Sequence, residues 1–348
     1  MHVIFRVDAS QSIGLGHLMR CLALAGYFSP KHHVTFLINK TTHPLYKALN
    51  HGHFKALIMP DLLTPKEEVY WLNENVELKS VDWLVLDGYQ FSEAYRFALS
   101  SMLISKHCLF AVFDDNNDQG QLFANCIING NEHASLLDYR YTASTAELCL
   151  GAQYRIIRQA FAAYQNIDNP VTERHEITVI MGGSDTKNLT LSILQRLHVV
   201  LPQVVINVIT GQAYPHLNVL TPFVQAHPRM LKHHHNCQNV EALFARSRLA
   251  ISAGGTTQYE LQACCTPTIL LMVANNQEIA CNMASKQEMA HVLDFRKTAN
   301  LVKLVADVEQ FWLDENRLIK MHNTMKAKAV LNGAENIINA FMKKLDSK

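Results

Sequence analysis

The chain contains 348 residues, with 31 basic and 30 acidic side chains and a formal net charge of +1. This balance gives no electrostatic reason to expect a nucleic-acid partner or an anionic membrane surface. No apolar run reaches about 20 residues, and the N-terminus lacks the pattern of a signal peptide, so we expect a cytoplasmic protein with no membrane partner. The length suits two domains of ordinary size.

Short apolar runs alternate with helical patterns through the first half, which is typical of parallel α/β architecture. The apolar runs predict strands at Val3–Val7, Val34–Ile38, Ala56–Met59, Trp83–Asp87, Leu109–Phe113 and Cys126–Ile128. The patterns between them predict helices at Leu18–Phe28, Pro44–Asn50, Lys66–Asn75 and Glu93–Leu103.

The first predicted strand leads through a polar turn with two glycines, Gly14 and Gly16, into the first predicted helix. Strand, glycine turn and helix form the start of a βαβ unit, in which backbone N–H groups can approach an anion closely. His17 ends this turn, at a position that favours a catalytic site. A histidine there can act as a general base, and it can equally cap the helix, pack against it or bind phosphate.

Two acidic sequences follow later strands of the first half. Asp87-Gly88-Tyr89 ends one predicted strand, and the Tyr89 phenol can both donate and accept a hydrogen bond. Asp114-Asp115 follows another strand. Paired carboxylates often bind Mg²⁺, but we favour a loop cap or a hinge for this pair and expect no metal site.

A polar segment, residues 165–170, separates the two halves, and Pro170 ends any helix before it. We therefore predict domains at residues 1–165 and 171–348. The second half repeats the alternation, with strands predicted at Ile177–Met181, Val204–Thr210, Leu249–Ser252 and Thr268–Val273. Helices are predicted at Leu189–Leu197, from 256 through Leu261, and in the tail from Val308.

Two glycine pairs in the second half, Gly182-Gly183 and Gly254-Gly255, each follow a predicted strand and precede a predicted helix. Both can present backbone N–H groups to a diphosphate, with added hydroxyl donors from Ser184, Thr256 and Thr257. Glu260 lies one turn into the second of these helices, where a carboxylate can accept hydrogen bonds from ribose hydroxyls. Its alternative role is that of a solvated helix residue.

The run His233-His234-His235 raises the question of a metal site. Adjacent residues point in different directions, and no acidic or cysteine partner stands at a useful spacing. We therefore expect no metal here and no cofactor elsewhere.

Several motifs, taken in order, resemble the UDP-2,4-diacetamido-2,4,6-trideoxyhexose hydrolases of pseudaminic acid biosynthesis. The first is an Asp-x-Ser-x-x-x-Gly-x-Gly-His-x-x-Arg run, matched here by Asp8, Ser10, Gly14, Gly16, His17 and Arg20. The others are Asp87-Gly88-Tyr89, Asp114-Asp115, Gly151 with Tyr154 and Arg158, residues 181–185, and residues 251–254 with Glu260, Asn276 and Gln277. The resemblance covers roughly residues 3 to 280. The second half is also similar to the lipid II N-acetylglucosamine transferases.

The resemblance implies two Rossmann-like domains with an intervening cleft, the GT-B architecture. It implies metal-independent hydrolysis of a UDP-sugar, with His17 as the base that activates water, Tyr89 in the active site and Asn276 on the reacting sugar. Asp8 then either orients His17 or binds a sugar hydroxyl, and Arg20 is either solvated or reaches a phosphate. Gln277 belongs to an amide cluster suited to acetamido groups.

Two other functions fit the same pattern. A UDP-dependent glycosyltransferase would share the second domain, and a non-catalytic nucleotide-sugar binding protein would need only the ligand contacts. Release of UDP without an acceptor would separate the hydrolase from both. We expect a monomer.

Overall fold

The structure, a computed structural model, describes residues 1–10, 13–50, 53–165, 169–185 and 187–347. The chain forms two compact units, Met1–Ile156 with Val330–Lys348, and Ile157–Ala329. The linker predicted at residues 165–170 lies partly outside the described residues, as do Gln11 and Ser12 of the first glycine turn.

The first unit contains seven strands in one parallel sheet. They are β1 (His2–Val7), β2 (His33–Asn39), β3 (Lys55–Met59), β4 (Trp83–Asp87), β5 (Leu109–Phe113), β6 (Cys126–Asn129) and β7 (Glu147–Leu150). The helices between them are α1 (Gly16–Ala25), α2 (His43–Asn50), α3 (Pro65–Asn75) and α4 (Glu93–Ser105). The six strands and four helices predicted for this half are confirmed, with ends shifted by up to three residues.

In the strand order β3-β2-β1-β4-β5-β6-β7, the chain proceeds from β1 toward one edge of the sheet and from β4 toward the other. The order therefore reverses between β1 and β4, although all strands are parallel. Val7 at the end of β1 lies opposite Asp87 at the end of β4. In open α/β sheets, ligands bind at the carboxyl ends of the strands where the order reverses. The loops after β1 and β4 therefore flank the expected binding crevice of this unit.

Local sequence explains why helices α3 and α4 begin where they do. The Thr64 hydroxyl accepts a hydrogen bond from the backbone N–H of Glu67, and the Glu67 carboxylate accepts one from the N–H of Thr64. The Ser92 hydroxyl caps α4 in the same way, by accepting from the N–H of Tyr95. Such caps satisfy the backbone donors that a helix start leaves free.

The second unit contains a six-stranded parallel sheet in the order β10-β9-β8-β11-β12-β13. Its strands are β8 (Glu176–Ile180), β9 (Val205–Thr210), β10 (Leu231–His235), β11 (Ser247–Ala253), β12 (Thr268–Met272) and β13 (His291–Asp294). Its helices are α5 (Gln159–Gln165), α6 (Leu189–Val200), α7 (Leu217–Ala226), α8 (Val240–Arg246), α9 (Thr257–Ala263), α10 (Glu278–Lys286), α11 (Leu301–Leu313) and α12 (Glu315–Lys328).

The last helix, α13 (Gly333–Asp346), belongs to the first unit, whereas the sequence placed the whole C-terminal segment in the second domain. Its apolar face is buried, and the Phe341 ring stacks on Trp83 of β4 with centroids 4.2 Å apart. A Cβ on Gly333 would lie 2.0 Å from the Arg155 carbonyl oxygen, so only glycine fits this close contact. Aromatic burial therefore fixes this helix on the first sheet.

No helix among the described residues is long and apolar enough to cross a membrane.

Candidate functional site

The loop after β1 places His17 at the start of α1. The backbone N–H of Gly14 donates to the Ser10 carbonyl over 2.8 Å, and the Ser10 hydroxyl accepts from the N–H of Ile13 over 3.1 Å. Gly14 has φ +85°, a conformation that glycine adopts without strain. Chain neighbours and the helix's own backbone aside, no atom of the described residues lies within 4 Å of a Cβ built on Gly14 or Gly16, so there is open space beside both glycines.

His17 contacts a buried carboxylate at the end of the neighbouring strand. Its Nδ1 lies 2.7 Å from Oδ1 of Asp87, whose side chain is fully buried. An ionised carboxylate can only accept, so in the neutral imidazole the proton is on Nδ1 and the lone pair on Nε2. The imidazole is thus held in the tautomer that can accept a proton from water.

Arg20, one turn further along α1, joins two carboxylates. Its Nε and Nη2 donate to Asp87 over 2.7 and 2.6 Å, and its Nη1 donates to Asp115 over 2.8 Å. The two roles predicted for Arg20, solvated residue or phosphate ligand, do not describe this arrangement. Its guanidinium is engaged within the protein, because three of its nitrogens already donate to carboxylates.

Burial and charge act in opposite directions on Asp87. Burial alone would raise the pKa of Asp87, but the charge of Arg20 and the contact with His17 hold it well below its usual range. Burial likewise opposes ionisation of Asp115, and Arg20 together with the Tyr89 hydroxyl lowers the pKa of that carboxyl. Both carboxylates are therefore ionised at neutral pH, and Asp87 can stabilise positive charge on the imidazole of His17.

Tyr89, which the resemblance places in the active site, lies beside His17, and its role in catalysis stays a prediction. The two rings meet edge to face with centroids 4.6 Å apart. The Tyr89 hydroxyl donates to Oδ2 of Asp115 over 2.5 Å. Burial and the charge of Asp115 raise the pKa of Tyr89, so the phenol stays protonated. Asp115 thus orients Tyr89 as Asp87 orients His17.

Asp8 does not orient His17, although the sequence allowed that role. Its carboxylate receives Nη2 of Arg6 over 2.7 Å and the backbone N–H of Asn39 over 3.2 Å. Asp87 holds His17 instead. The sequence carried one signal for this, since Asp87 is the only charged residue in an otherwise apolar buried strand.

Asp114 has the loop-cap role favoured from the sequence. It accepts from the backbone N–H of Asn117 over 2.8 Å and from the Tyr139 hydroxyl over 2.5 Å. Burial, the main effect, raises the pKa of this carboxyl. Its neighbour Asp115 faces Arg20 instead, so the two carboxylates have different partners. No group of three or more metal-ligating side chains occurs in the described parts of the chain.

The glycine turn after β8 in the second unit is open at Gly182 and closely packed at Gly183. Gly182 has φ +81°, and a Cβ on Gly211, which follows β9, would lie 2.6 Å from the Gly183 carbonyl oxygen. The Asp185 carboxylate caps α6 by accepting from the N–H groups of Leu189 and Thr190 over 2.9 and 2.8 Å. Contact of Gly182, Gly183 and Ser184 with a phosphate stays a prediction.

The glycine turn after β11 differs from the expected phosphate cradle at Gly254. The N–H of Gly254 donates to the Leu271 carbonyl over 2.9 Å, so it extends the sheet and is not available to a phosphate. A Cβ on Gly254 would lie 2.3 Å from Sγ of Cys281, which explains the glycine by packing. Gly255 has open space around it, and Thr256 and Thr257 follow at the start of α9.

Glu260 forms an ion pair within the second unit. Nε of Arg158 donates to its Oε1 over 2.7 Å, and both side chains keep part of their surface exposed. The attraction to Glu260 raises the pKa of Arg158 against the opposing effect of burial. A carboxylate can accept several hydrogen bonds, so this ion pair fixes Glu260 and leaves it capacity for ligand hydroxyls. The sequence did not assign Arg158 this role.

The amide cluster after β12 divides into two kinds of residue. Gln277 is structural, because its Oε1 accepts from the backbone N–H groups of Val273 and Ala274 over 2.8 and 3.4 Å. Asn276 is exposed in the short turn Asn275–Gln277. The sugar contact of Asn276 stays a prediction, and that of Gln277 stays one for its Nε2, because its Oε1 is engaged in the turn.

The histidine run 233–235 forms the edge strand β10, which its polar sequence concealed. Nε2 of His233 lies 2.8 Å from Oγ1 of Thr210, and Nε2 of His234 lies 3.0 Å from Oδ1 of Asn207. The side chains alternate in direction, as they do along any strand.

No known protein-family model matches the chain. It is 25% identical over 299 residues to the UDP-2,4-diacetamido-2,4,6-trideoxy-beta-L-altropyranose hydrolase of Campylobacter jejuni, covering 82% of this chain and 97% of that protein. It is 24% identical over 242 residues to the pseudaminic acid cytidylyltransferase and UDP-2,4-diacetamido-2,4,6-trideoxy-beta-L-altropyranose hydrolase of Helicobacter pylori, covering 68% of this chain and 41% of that protein.

Among solved structures, MurG from Acinetobacter baumannii has a TM-score of 0.64 at 13% identity, over 98% of this chain and 99% of that one. This likeness concerns the fold alone, and with the two parallel sheets it confirms the prediction of two Rossmann-like domains of the GT-B class. The resemblance inferred from the motifs is confirmed as well, since the chain is similar over most of its length to hydrolases of UDP-2,4-diacetamido-2,4,6-trideoxy-beta-L-altropyranose.

Proposed function

We propose that this protein is an enzyme that hydrolyses UDP-2,4-diacetamido-2,4,6-trideoxy-beta-L-altropyranose to UDP and the free sugar, a step of pseudaminic acid biosynthesis. The observation that carries the proposal is the pairing of His17 with the buried carboxylate of Asp87 beside an open glycine loop. The similarity to the Campylobacter jejuni hydrolase supports the choice of substrate.

In the proposed reaction, Nε2 of His17 takes a proton from a water molecule while the oxygen of that water attacks the anomeric carbon of the sugar. The bond between that carbon and the oxygen of the β-phosphate breaks, and UDP leaves with the electron pair. A single displacement inverts the anomeric configuration. Asp87 stabilises the imidazolium that forms, in the way that a buried carboxylate does in a catalytic triad. UDP is a good leaving group, so the scheme needs no general acid.

For the second unit we propose the UDP site. Glu260, oriented by Arg158, would accept hydrogen bonds from the ribose hydroxyls. The open backbone at Gly182 and Gly255, with the hydroxyls of Ser184, Thr256 and Thr257, would face the diphosphate, and Asn276 would contact the sugar. Independence from metals, a cytoplasmic location and a monomeric state complete the proposal.

The test is incubation of the purified protein with a small panel of UDP-diacetamido sugars, followed by mass detection of the products. Release of UDP and a free sugar without any acceptor supports the hydrolase. A glycosyltransferase would release UDP only when an acceptor is present, and a binding protein would release none. Either of those results would replace the proposed function.

A further inference from the structure

A cavity of about 240 Å³ lies in the first unit at the carboxyl ends of β1 to β4. Asp8, Asn39, Met59 and Gln90, which line it, lie at or just beyond the ends of these four strands. Since a water molecule occupies about 30 Å³ of liquid, the cavity has room for roughly eight waters. That volume suits part of a sugar and is too small for a nucleotide sugar.

We call this cavity the Arg6 cavity. In its inner part the charged side chains pair with one another. Arg6 donates through Nε to Oε1 of Glu68 over 2.6 Å and through Nη2 to Oδ2 of Asp8 over 2.7 Å. The Tyr95 hydroxyl also donates to Glu68. The Arg6 guanidinium lies over the Phe91 ring, 4.8 Å from its centroid. All of these side chains are buried.

The balance of these charges excludes one class of ligand. Asp8 and Glu68 carry two negative charges, and Arg6 carries the single positive charge of the lining. Although Nη1 of Arg6 donates no hydrogen bond within the described residues, a phosphate or a carboxylate here would meet the net negative charge of Asp8 and Glu68. The cavity therefore favours a neutral ligand, or a part of one.

Two amides supply hydrogen-bonding groups at the cavity wall. Oδ1 of Asn39 accepts from the backbone N–H of Thr42 over 2.7 Å, and its Nδ2 donates to no atom of the described residues. The exposed Gln90 places its Nε2 3.5 Å from Oδ2 of Asp8. An amide ligand needs a donor for its carbonyl and an acceptor for its N–H. Nδ2 of Asn39 is such a donor and Oε1 of Gln90 such an acceptor, whereas Asp8 is already engaged by Arg6, Asn39 and Thr42.

The rest of the wall is apolar and could hold a methyl group. Met59, Pro60, Leu63 and Pro65 line it, and the side chain of Leu62 is fully exposed at the loop that leads into α3. An acetyl methyl or a 6-deoxy methyl group would bury apolar surface here, which favours binding. Ligand pockets commonly combine such walls with a few placed polar groups.

One residue connects the Arg6 cavity with the His17 site. A Cβ built on Gly88, which follows β4 with φ +146°, would lie 2.4 Å from Oε1 of Gln90. Gln90 therefore lies against the backbone next to Tyr89, whose ring contacts His17. The cavity and the His17 site adjoin along a single loop.

From these observations we propose that the Arg6 cavity binds an N-acyl group of the sugar and so selects acylamino sugars over plain hexoses. Nδ2 of Asn39 donates to the acyl oxygen, and Oε1 of Gln90 accepts from the amide N–H. The inference rests on the proposed hydrolase function and adds the residues that determine its sugar specificity.

Two variants test the cavity, each with a matched control in the same unit. Gln90→Ala removes an exposed amide, with the exposed Gln153→Ala as its control; Leu63→Trp fills the cavity, with the exposed Leu136→Trp as its control. We expect Gln90→Ala to raise KM for the UDP-diacetamido sugar about fivefold to tenfold, the loss of one hydrogen bond, with little change in kcat. Leu63→Trp should raise KM more, and UDP affinity should stay as in the native protein for all four.

A binding measurement separates this inference from the proposed function. Saturation-transfer NMR with free N-acetylglucosamine should show transfer from the native protein to the acetyl methyl protons. The transfer should be weaker in Gln90→Ala and absent in Leu63→Trp. Glucose, measured in the same way, should not bind. If native protein does not hydrolyse the UDP-sugars but this pattern holds, the proposed function fails and the cavity assignment stands. Hydrolysis with an unchanged KM in both folded cavity variants would overturn the cavity assignment alone.

Discussion

Each unit contains a glycine turn between a buried strand and a helix, but the surroundings of the two turns differ. In the first unit, the turn ending at His17 meets Asp87, Arg20, Asp115 and Tyr89 in one connected network. In the second unit, the turn after β8 is held by its own helix cap at Asp185. The same local motif thus carries different chemistry, because residues distant in sequence decide which groups face it.

This difference is the basis for proposing that bond breaking occurs in the first unit and nucleotide binding in the second. A base needs a fixed tautomer and a nearby negative charge, which the network around His17 supplies. A nucleotide needs open backbone and a few oriented polar groups, which Gly182, Gly255 and Glu260 can offer. Substitutions in the two units should therefore affect different kinetic constants.

The largest effect is expected from His17→Ala, which removes the proposed base. Turnover should fall by about 10²–10⁴-fold, the usual contribution of a positioned base. The affinity for UDP, measured by calorimetry, should change little, because its proposed ligands lie in the other unit. Loss of UDP affinity with intact turnover of bound substrate would make His17 a ligand contact instead.

Asp87→Asn should lower kcat by roughly 10–10³-fold, because an amide can donate to Nδ1 and so favour the tautomer whose Nε2 carries the proton. The matched control is Asp115→Asn, which also removes a carboxylate from Arg20 but does not contact His17. Steady-state kinetics on both folded variants makes the comparison. Asp115→Asn also removes the acceptor of the Tyr89 hydroxyl, so equal losses of kcat would assign the effect to the shared network of Arg20 and Tyr89 and not to the orientation of His17.

Glu260→Ala should weaken UDP binding by about 1–3 kcal/mol, the cost of leaving buried hydroxyl partners unpaired. The control is Glu278→Ala, which breaks a comparable ion pair with Arg296 in the same unit. Titration calorimetry with UDP measures both. An affinity that is unchanged in Glu260→Ala, or equally reduced in the control, would remove Glu260 from the proposed site.

Exhaustive EDTA treatment is expected to leave activity unchanged, since the carboxylates near His17 already pair with Arg20 and Tyr89. Activity before and after chelation, with Mg²⁺ added back to one sample, provides the measurement. Loss of activity that Mg²⁺ restores would direct attention to Asp114 and Asp115.

The sequence predicted most of the fold because buried parallel strands are continuous apolar runs. The strands β1, β4 and β5 are buried almost throughout, so their apolar runs can be recognised without knowing which strands lie beside them. The edge strand β10 was missed because its histidines are polar, and β7 and β13 because they are only four residues long and partly exposed. The placement of α13 depends on Phe341 meeting Trp83, a contact across more than 250 residues.

The sequence also predicted the positions of site residues better than their contacts with distant parts of the chain. Spacing located His17 and Tyr89 at the ends of strands that the sheet brings together. The partners Asp87 and Arg20 acquired their roles only through side-chain geometry, which spacing does not encode. The roles of Gly254 and Gln277 were missed for the same reason, because one meets Cys281 and the other caps its own turn.

Hydrolysis in ¹⁸O-labelled water tests the central claim most directly, namely that water activated by His17 attacks the anomeric carbon. Mass spectrometry of the products shows which fragment receives the label. The account predicts ¹⁸O in the free sugar and unlabelled UDP, with the labelled product formed far more slowly by His17→Ala. Label in UDP would mean attack at phosphorus and would contradict the mechanism proposed for this site.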